Sequence, residues 1–278
     1  MTATLRGRRS GLSLIELMIS LVVVSIIGVS ITRLLTTQTR FFSKLSLGRD
    51  ARSVTRQARN LIQSELSMVE AAAGVVAASN DSITVRVPIA FGLYCTGGTM
   101  MVLPTDSMYL ASATPGGFAL KDTSVAGAYA YTALTSTAAG TAANCTGGSV
   151  QITAPGGGFY KNLTPSPSGV QASPMFLYQV VTYKFAASTL VSGQRGLWRK
   201  AGTGAYAEIV APFDTTAKFR YYRLYADTAQ TGVPTLTEIR GVELMLDAKA
   251  PQATPGQPTN RETSSVRTAI FFRNRTDG

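Results

Sequence analysis

The sequence predicts an α+β protein, in which a long N-terminal helix packs against a C-terminal antiparallel β-sheet. Two observations predict this class. Residues 12–70 contain no proline and repeat apolar side chains at close to the helical period of about 3.6 residues. Residues 175–278 instead alternate apolar and polar side chains in five short runs, which is the period of half-buried strands. A chain of 278 residues is long enough to bury a core.

The composition excludes several kinds of active site. The chain contains no histidine, which removes Ser-His-Asp and Cys-His nucleophilic sites, HExxH zinc helices and an imidazole base. Its two cysteines, Cys95 and Cys145, cannot form a four-ligand zinc site without histidine. We therefore expect a protein that is not an enzyme and that needs no metal or cofactor.

The positive charge is unevenly placed along the chain. The 26 Lys and Arg against 15 Asp and Glu give a formal net charge of +11, which by itself suggests nucleic acid or an anionic membrane as partner. However, Arg6, Arg8 and Arg9 lie in a short leader directly before an apolar run, which is the geometry of a targeting signal. Basic residues near the C-terminus alternate with apolar ones, as on a solvated sheet face.

The apolar run covers residues 12–32 and contains one charged residue, Glu16. At ~1.5 Å per residue, a helix of this length crosses the ~30 Å hydrocarbon core of a bilayer. A cleaved secretory signal is the alternative, but the run is longer than the usual apolar region and no A-x-A-like site follows it. Gly11 lies before the run, so that a cut there leaves the apolar helix on the mature protein.

Glu16 is the residue in this run that most needs an explanation. A carboxylate near one end of a membrane segment costs about 2–3 kcal/mol unless it finds a partner. A cut between Gly11 and Leu12 creates an α-ammonium group at Leu12, which could neutralise Glu16 of the same or a neighbouring chain. The alternative is an acid without a partner that reaches the membrane surface.

The residues around the glycine resemble a known family. Arg9-Ser-Gly-Leu-Ser-Leu-Ile-Glu, which ends at Glu16, resembles the class III signal of type IV prepilins and pseudopilins. The resemblance implies that prepilin peptidase cuts between Gly11 and Leu12 and that the amino group of Leu12 is then N-methylated. It also implies that the leader, residues 1–11, stays on the cytoplasmic side and that Glu16 acts in assembly. Leu12 stands where this family most often has phenylalanine.

The helical pattern continues beyond the apolar run. We expect one helix of about 85–90 Å over residues 12–70, at ~1.5 Å per residue, of which residues 12–32 form the transmembrane part. Its amphipathic second half packs an apolar stripe on the sheet, as in a pilin-like fold. A free coil next to the membrane is the alternative for this half.

The middle of the chain, residues 71–174, is a variable β and loop region rich in Gly, Ala, Ser and Thr. It carries no net charge, and its small side chains cannot supply a dense core of their own. Residues 82–89, 100–103 and 149–153 are strand candidates between glycine-rich turns.

The two cysteines lie in this middle region. The membrane helix places everything after it on the outer, oxidising side, where thiols persist as disulfides. We therefore expect a bond between Cys95 and Cys145, which closes a loop of about 50 residues and contributes on the order of 4 kcal/mol. Two free buried thiols are the alternative.

The C-terminal region, residues 175–278, is predicted to form the antiparallel sheet, with a proline-rich exposed loop at 250–258. Its order, with Leu-Trp-Arg at 197–199 after a hairpin and Arg-Asn at 273–274, resembles PilW-type minor pilins and the J-type pseudopilins of type II secretion. The runs that predict the strands are Val181, Tyr183 and Phe185; residues 196–200; Phe219, Tyr221, Arg223 and Tyr225; Val242, Leu244 and Leu246; and Val266, Thr268, Ile270 and Phe272.

The resemblance implies a minor pilin that primes or caps a type IV pilus, a fibre of adhesion and motility. It implies a single-pass protein of the bacterial inner membrane, with a periplasmic C-terminal domain that can reach the pilus tip. Its expected partners are prepilin peptidase, other minor pilins, the major pilin and inner-membrane lipid.

Two alternatives stay open. The first is a J-type pseudopilin of type II secretion, which uses the same helix. The second is a competence pilin with a basic face for DNA, although the charge distribution argues against nucleic acid. The candidate contacts for an anion or DNA are Lys218, Arg220, Arg223 and Arg240.

Overall fold

The computed structural model describes most of the chain, and the ranges are 13–71, 73–121, 129–146, 159–232, 235–253, 255 and 261–272. Several sequence predictions lie outside the described residues, namely the leader, the cleavage site at Gly11 and Leu12, the strand candidate at 149–153 and the Arg-Asn pair at 273–274.

The first element is a single helix, α1, which runs from Leu14 to Leu66 over 53 residues. At ~1.5 Å per residue it is about 80 Å long. Its apolar half contains serines and threonines, whose hydroxyls donate to carbonyls one turn earlier, as Ser20 does to the Glu16 carbonyl at 2.8 Å and Ser25 to the Leu21 carbonyl at 2.7 Å. These bonds satisfy the hydroxyls within the helix, which suits an apolar environment.

Only the C-terminal part of α1 packs on the sheet. Its buried positions are spaced three or four residues apart, so that they form one stripe. The stripe comprises Ala51, Thr55, Ala58, Ile62 and Leu66. Residues 13–42 are exposed throughout, and large side chains as far as Leu45 remain exposed. The prediction that the second half packs on the sheet is therefore confirmed from Ala51 onward.

Thirteen antiparallel strands form the sheet in the described part of the chain. The strands are β1 Val75–Ala78, β2 Ser82–Tyr94, β3 Thr99–Val102, β4 Gly117–Lys121, β5 Tyr129–Ala133, β6 Ser136–Ala139, β7 Tyr160–Thr164, β8 Pro174–Ala187, β9 Arg195–Ala201, β10 Ala207–Phe213, β11 Lys218–Arg223, β12 Ile239–Lys249 and β13 Thr263–Phe271. The shorter helices are α2 Pro104–Ser112, α3 Ala143–Thr146 and a 3-10 turn at Leu236–Glu238.

The strands follow the order β11-β12-β10-β9-β8-β2-β3-β7-β6 across the sheet. Beside this path, β13 pairs with β12, β1 with β2, and β4 with both β8 and β5. The long β2 and β8 pair along most of their length at the centre, and α1 packs across β2, β10, β12 and β13. An α+β fold with a long N-terminal helix and an antiparallel sheet is thus confirmed.

Two main apolar cores lie on the sheet. The larger one joins the buried stripe of α1 to the inner faces of β2, β8, β9, β11 and β12, and includes Tyr183, Phe213 and Tyr221. The second lies in the middle region and is built around Met100 and Phe118, with Met175 and Leu177 of β8 completing it. The second core therefore joins the middle region to the C-terminal sheet, while a smaller cluster of Cys95, Met101, Cys145 and Tyr160 lies within the middle region itself.

The prediction for the strand after residue 217 is wrong at one position. Phe219 and Tyr221 are buried on one face of β11, as expected, but the strand ends at Arg223 and the chain turns. Tyr225 has φ 62° and is 93% exposed. The pairing with β12 shifts register between Tyr222 and Arg223, which interrupts the alternation before it reaches Tyr225.

Candidate functional site

Glu16 lies in the first turn of α1. The helix begins at Leu14, and the backbone N–H of Ser13 donates to Glu16 Oε2 at 3.4 Å. The carboxylate therefore folds back toward the start of the helix, where the unpaired backbone N–H groups favour negative charge. In the sequence, Glu16 follows shortly after Leu12, the residue whose amino group the predicted cleavage frees.

The helix behind Glu16 can cross a membrane by its length and composition. It contains a window with a mean hydropathy of 2.6, of which 0% is buried, and no other described helix is long and apolar enough. Every large apolar side chain from Leu14 to Ile31 is between 48% and 78% exposed. Such a contiguous apolar surface needs lipid or other helices around it.

A half-buried polar cluster joins the last turns of α1 to the sheet. The Tyr183 hydroxyl donates to Glu65 Oε2 at 2.5 Å, and Arg199 Nη2 lies 2.8 Å from Glu65 Oε1. Burial raises the pKa of Tyr183 well above its usual value of 10.0, and the Glu65 charge raises it further. Burial alone lowers the pKa of Arg199, but the hydrogen bond and charge of Glu65 outweigh it and raise that pKa.

A second polar contact lies just after α1. The Tyr131 hydroxyl donates to Glu70 Oε2 at 3.2 Å, and the backbone N–H of Ala73 donates to the same oxygen at 3.0 Å. The Arg86 guanidinium lies over the Tyr131 ring, 4.8 Å from its centroid. Burial raises the pKa of Tyr131 above 10.0, and the Glu70 charge adds to the effect. The two contacts fix the end of the helix to β8, β9 and β5.

The N-terminal segment of the chain is similar to a known sequence motif. Residues 6–32 match the prokaryotic N-terminal methylation motif. This motif spans the basic leader, Gly11, Glu16 and the apolar half of α1, and the match supports a place in the type IV pilin-like superfamily. It implies processing by prepilin peptidase and partners in a pilus or pseudopilus. No curated protein and no solved structure matches the chain.

The methylation motif and the exposed apolar helix are together consistent with anchoring in a membrane. The motif ends at residue 32, and the sheet domain lies wholly beyond it. The motif match therefore carries no information about the sheet domain.

In the middle of the domain, Cys95 and Cys145 are joined by a disulfide bond, with their Cα atoms 4.7 Å apart. Both residues are buried. Beside them the Thr99 hydroxyl donates to Asn162 Oδ1 at 2.6 Å, and the Asn144 side-chain amide donates to Thr99 Oγ1 at 2.6 Å. The bond and these hydrogen bonds hold α3 against the turn between β2 and β3.

The four basic residues suggested for an anion lie at one end of the sheet, with Lys218, Arg220 and Arg223 on β11 and Arg240 on β12. Arg220 Nη1 lies 2.9 Å from Glu243 Oε2. Arg240 Nη2 lies 3.6 Å from Asp227 Oδ1 and donates to the Ala226 carbonyl at 2.6 Å. Two of the four cations therefore pair with acids of this chain and help to hold the loop after β11.

Among the described residues, no group of three or more His, Cys, Asp or Glu side chains is placed to hold a metal ion. Sequence reasoning missed the cluster of Glu65, Tyr183 and Arg199. One signal for it exists, because Glu65 is an acid directly before the buried Leu66, near the end of the packed stripe.

Proposed function

We propose that this protein is a minor pilin that primes or caps a type IV pilus after processing between Gly11 and Leu12. The observation that carries the proposal is the position of Glu16, a carboxylate in the first turn of an exposed apolar helix and inside a methylation motif. We infer a structural role and no catalysis, because a chain without histidine lacks the usual nucleophile and zinc sites.

The proposed mechanism rests on the energy of a carboxylate in lipid. An unpaired Glu16 near the end of a membrane helix costs about 2–3 kcal/mol. The α-ammonium of Leu12 on a neighbouring subunit neutralises it when the two helices pack side by side at the correct height. The same pair sets the axial register between subunits, because the cost returns whenever the helices slide apart.

The finer assignment, to PilW-type minor pilins, draws support from the C-terminal half. The strands on which that resemblance rests are present in the same order, as β9 with Leu-Trp-Arg at 197–199, then β11, β12 and β13. The ion pair of Glu65 and Arg199 also joins the domain to the end of α1. A J-type pseudopilin uses the same helix and motif and is the second candidate.

The experiment that tests the proposal is complementation of a host strain from which this gene is deleted. Surface pili and secretion of a type II substrate are measured in the same cultures, in the deletion strain and after re-expression. The proposal expects pili to be lost and restored while secretion is unchanged. Loss of secretion with normal pili supports the pseudopilin, and no change in either overturns both assignments.

A further inference from the structure

We propose that three cations on α1, Arg33, Arg40 and Lys44, bind anionic phospholipid headgroups on the outer side of the membrane that α1 spans. The proposal rests on the membrane anchoring in the proposed function and goes beyond it by assigning a lipid class to a surface of the helix.

The three cations share one face of the helix. They are spaced by seven and four residues, and at about 100° per residue they fall within about 40° of one another. The same spacing continues from Lys44 to Ala51, the first residue of the stripe that packs on the sheet. The cationic face therefore lies on the domain side of the helix, between the domain and the membrane.

Their heights above the bilayer suit headgroup binding. With Thr32 at the end of the apolar run, Arg33, Arg40 and Lys44 follow at about 1.5, 12 and 18 Å along the helix axis. The headgroup region is roughly 5–8 Å thick on each side. Side chains on a helix lean toward its N-terminus, which is here the direction of the membrane, and an average tilt of ~20° shortens the distance further. Arg33 and Arg40 thus reach the headgroups, and Lys44 adds its field within about one Debye length.

These cations are also available for binding. All three side chains are exposed, and no ion pair of the described residues involves any of them. The five ion pairs among the described residues are formed by four other arginines and one lysine. In four of these pairs both partners belong to the sheet domain. An anionic lipid surface supplies the negative charge that these three cations lack within the described part of the chain.

The test measures lipid selectivity of the full mature chain in bilayers that mix phosphatidylcholine and phosphatidylglycerol. Spin-labelled forms of the two lipids serve as probes, and the ratio of their association constants is the readout. The variant Arg33→Gln/Arg40→Gln/Lys44→Gln is compared with Arg49→Gln/Arg52→Gln/Arg56→Gln. The second triple loses the same charge from exposed positions of the same helix, but begins about 25 Å beyond Thr32.

We expect wild type to prefer phosphatidylglycerol, the first triple to reduce that preference about fivefold or more, and the control triple to leave it unchanged. Equal preference for both lipids in wild type overturns the proposal. An equal loss of preference in both triple variants also overturns the proposal. No loss in the first triple overturns it as well, and leaves an acidic protein surface as the occupant of this face. Resistance to alkaline extraction reports insertion separately, so that failure of the anchor is distinguished from failure of the lipid preference.

Discussion

The hydroxyl of Tyr183 in β8 donates a 2.5 Å hydrogen bond to the carboxylate of Glu65 in the last turns of α1. This bond, with the Arg199 ion pair on the other oxygen, connects α1 to the centre of the sheet. The contact therefore holds the end of α1 against β8 and β9.

Loss of this hydrogen bond is expected to destabilise the domain. Tyr183→Phe keeps the buried ring but removes a donor to a charged group, which is worth about 1.5–3 kcal/mol. The free energy of unfolding, from denaturant titrations followed by near-UV circular dichroism, should fall by that amount. Tyr225→Phe is the matched control, because Tyr225 is 93% exposed and its loss should change little. Equal effects in the two variants would contradict the role of the Glu65 contact.

The domain is also expected to lose stability at high pH. Burial raises the folded-state pKa of Tyr183, Tyr131 and Tyr221 above the usual value of 10.0. Because the pKa is higher in the folded state, each tyrosine loses its hydroxyl proton at a lower pH in the unfolded chain than in the folded one. The contribution of these tyrosines to the free energy of unfolding is therefore fully present below about pH 10 and falls as the pH rises above it. Denaturant midpoints measured across this range should fall more steeply for wild type than for Tyr183→Phe. Identical slopes would show that Tyr183 does not titrate in this way.

The disulfide bond is expected to stabilise the middle region. Cys95 and Cys145 are 50 residues apart in sequence, and opening a loop of that length costs on the order of 4 kcal/mol in the chain-entropy model. The double variant Cys95→Ser/Cys145→Ser should show this loss in denaturant titrations, and reduction of the wild type should reproduce it. A wild type that does not respond to reductant would argue against the bond's role in stability.

Glu16 is expected to act in assembly and not in processing. Glu16→Ala should give a mature protein of normal size but few surface pili, because the ammonium of the neighbouring Leu12 loses its partner. Ser20→Ala is the control, since its hydroxyl is satisfied within the helix by the Glu16 carbonyl at 2.8 Å. Normal piliation in the Glu16 variant would refute the pairing of subunits through this residue.

The sequence predicts the parts of the fold that follow a regular period. The helix over 12–70 is found at Leu14–Leu66, and the alternating runs around Tyr183 and Leu244 are found in β8 and β12. The strand candidates at 82–89 and 100–103 correspond to β2 and β3. The packed half of α1, β2, β12 and the part of β8 around Tyr183 bury one face, so that their burial follows the period of the sequence. All four residues of β3 are buried, and this strand is predicted from a short apolar run.

Other strands could not be predicted because their residues carry no such period. The four residues of β6, Ser136–Ala139, are all exposed, so that no apolar alternation marks them. Pro212 in β10 argues against a strand, and the pairing of β10 with β9 contains two register shifts. Tyr225 is the opposite case, in which the alternation continues in the sequence but the chain turns after Arg223.

The functional residues divide in a similar way. Glu16 could be singled out from the sequence because a charge in an apolar run is conspicuous. The contact of Glu65 with Tyr183 and Arg199 joins residues more than a hundred positions apart, 118 and 134 respectively, and only the folded sheet brings them together. No local pattern contains that information.

The central claim is that the chain is a pilin-like subunit cut after Gly11, and the intact mass of the membrane-extracted protein tests it most directly. With prepilin peptidase present, the mass should correspond to a chain that begins at Leu12 and carries one added methyl group. Gly11→Asp should leave the full precursor, larger by the eleven-residue leader. A wild-type protein that keeps the precursor mass in cells with active peptidase would contradict the claim.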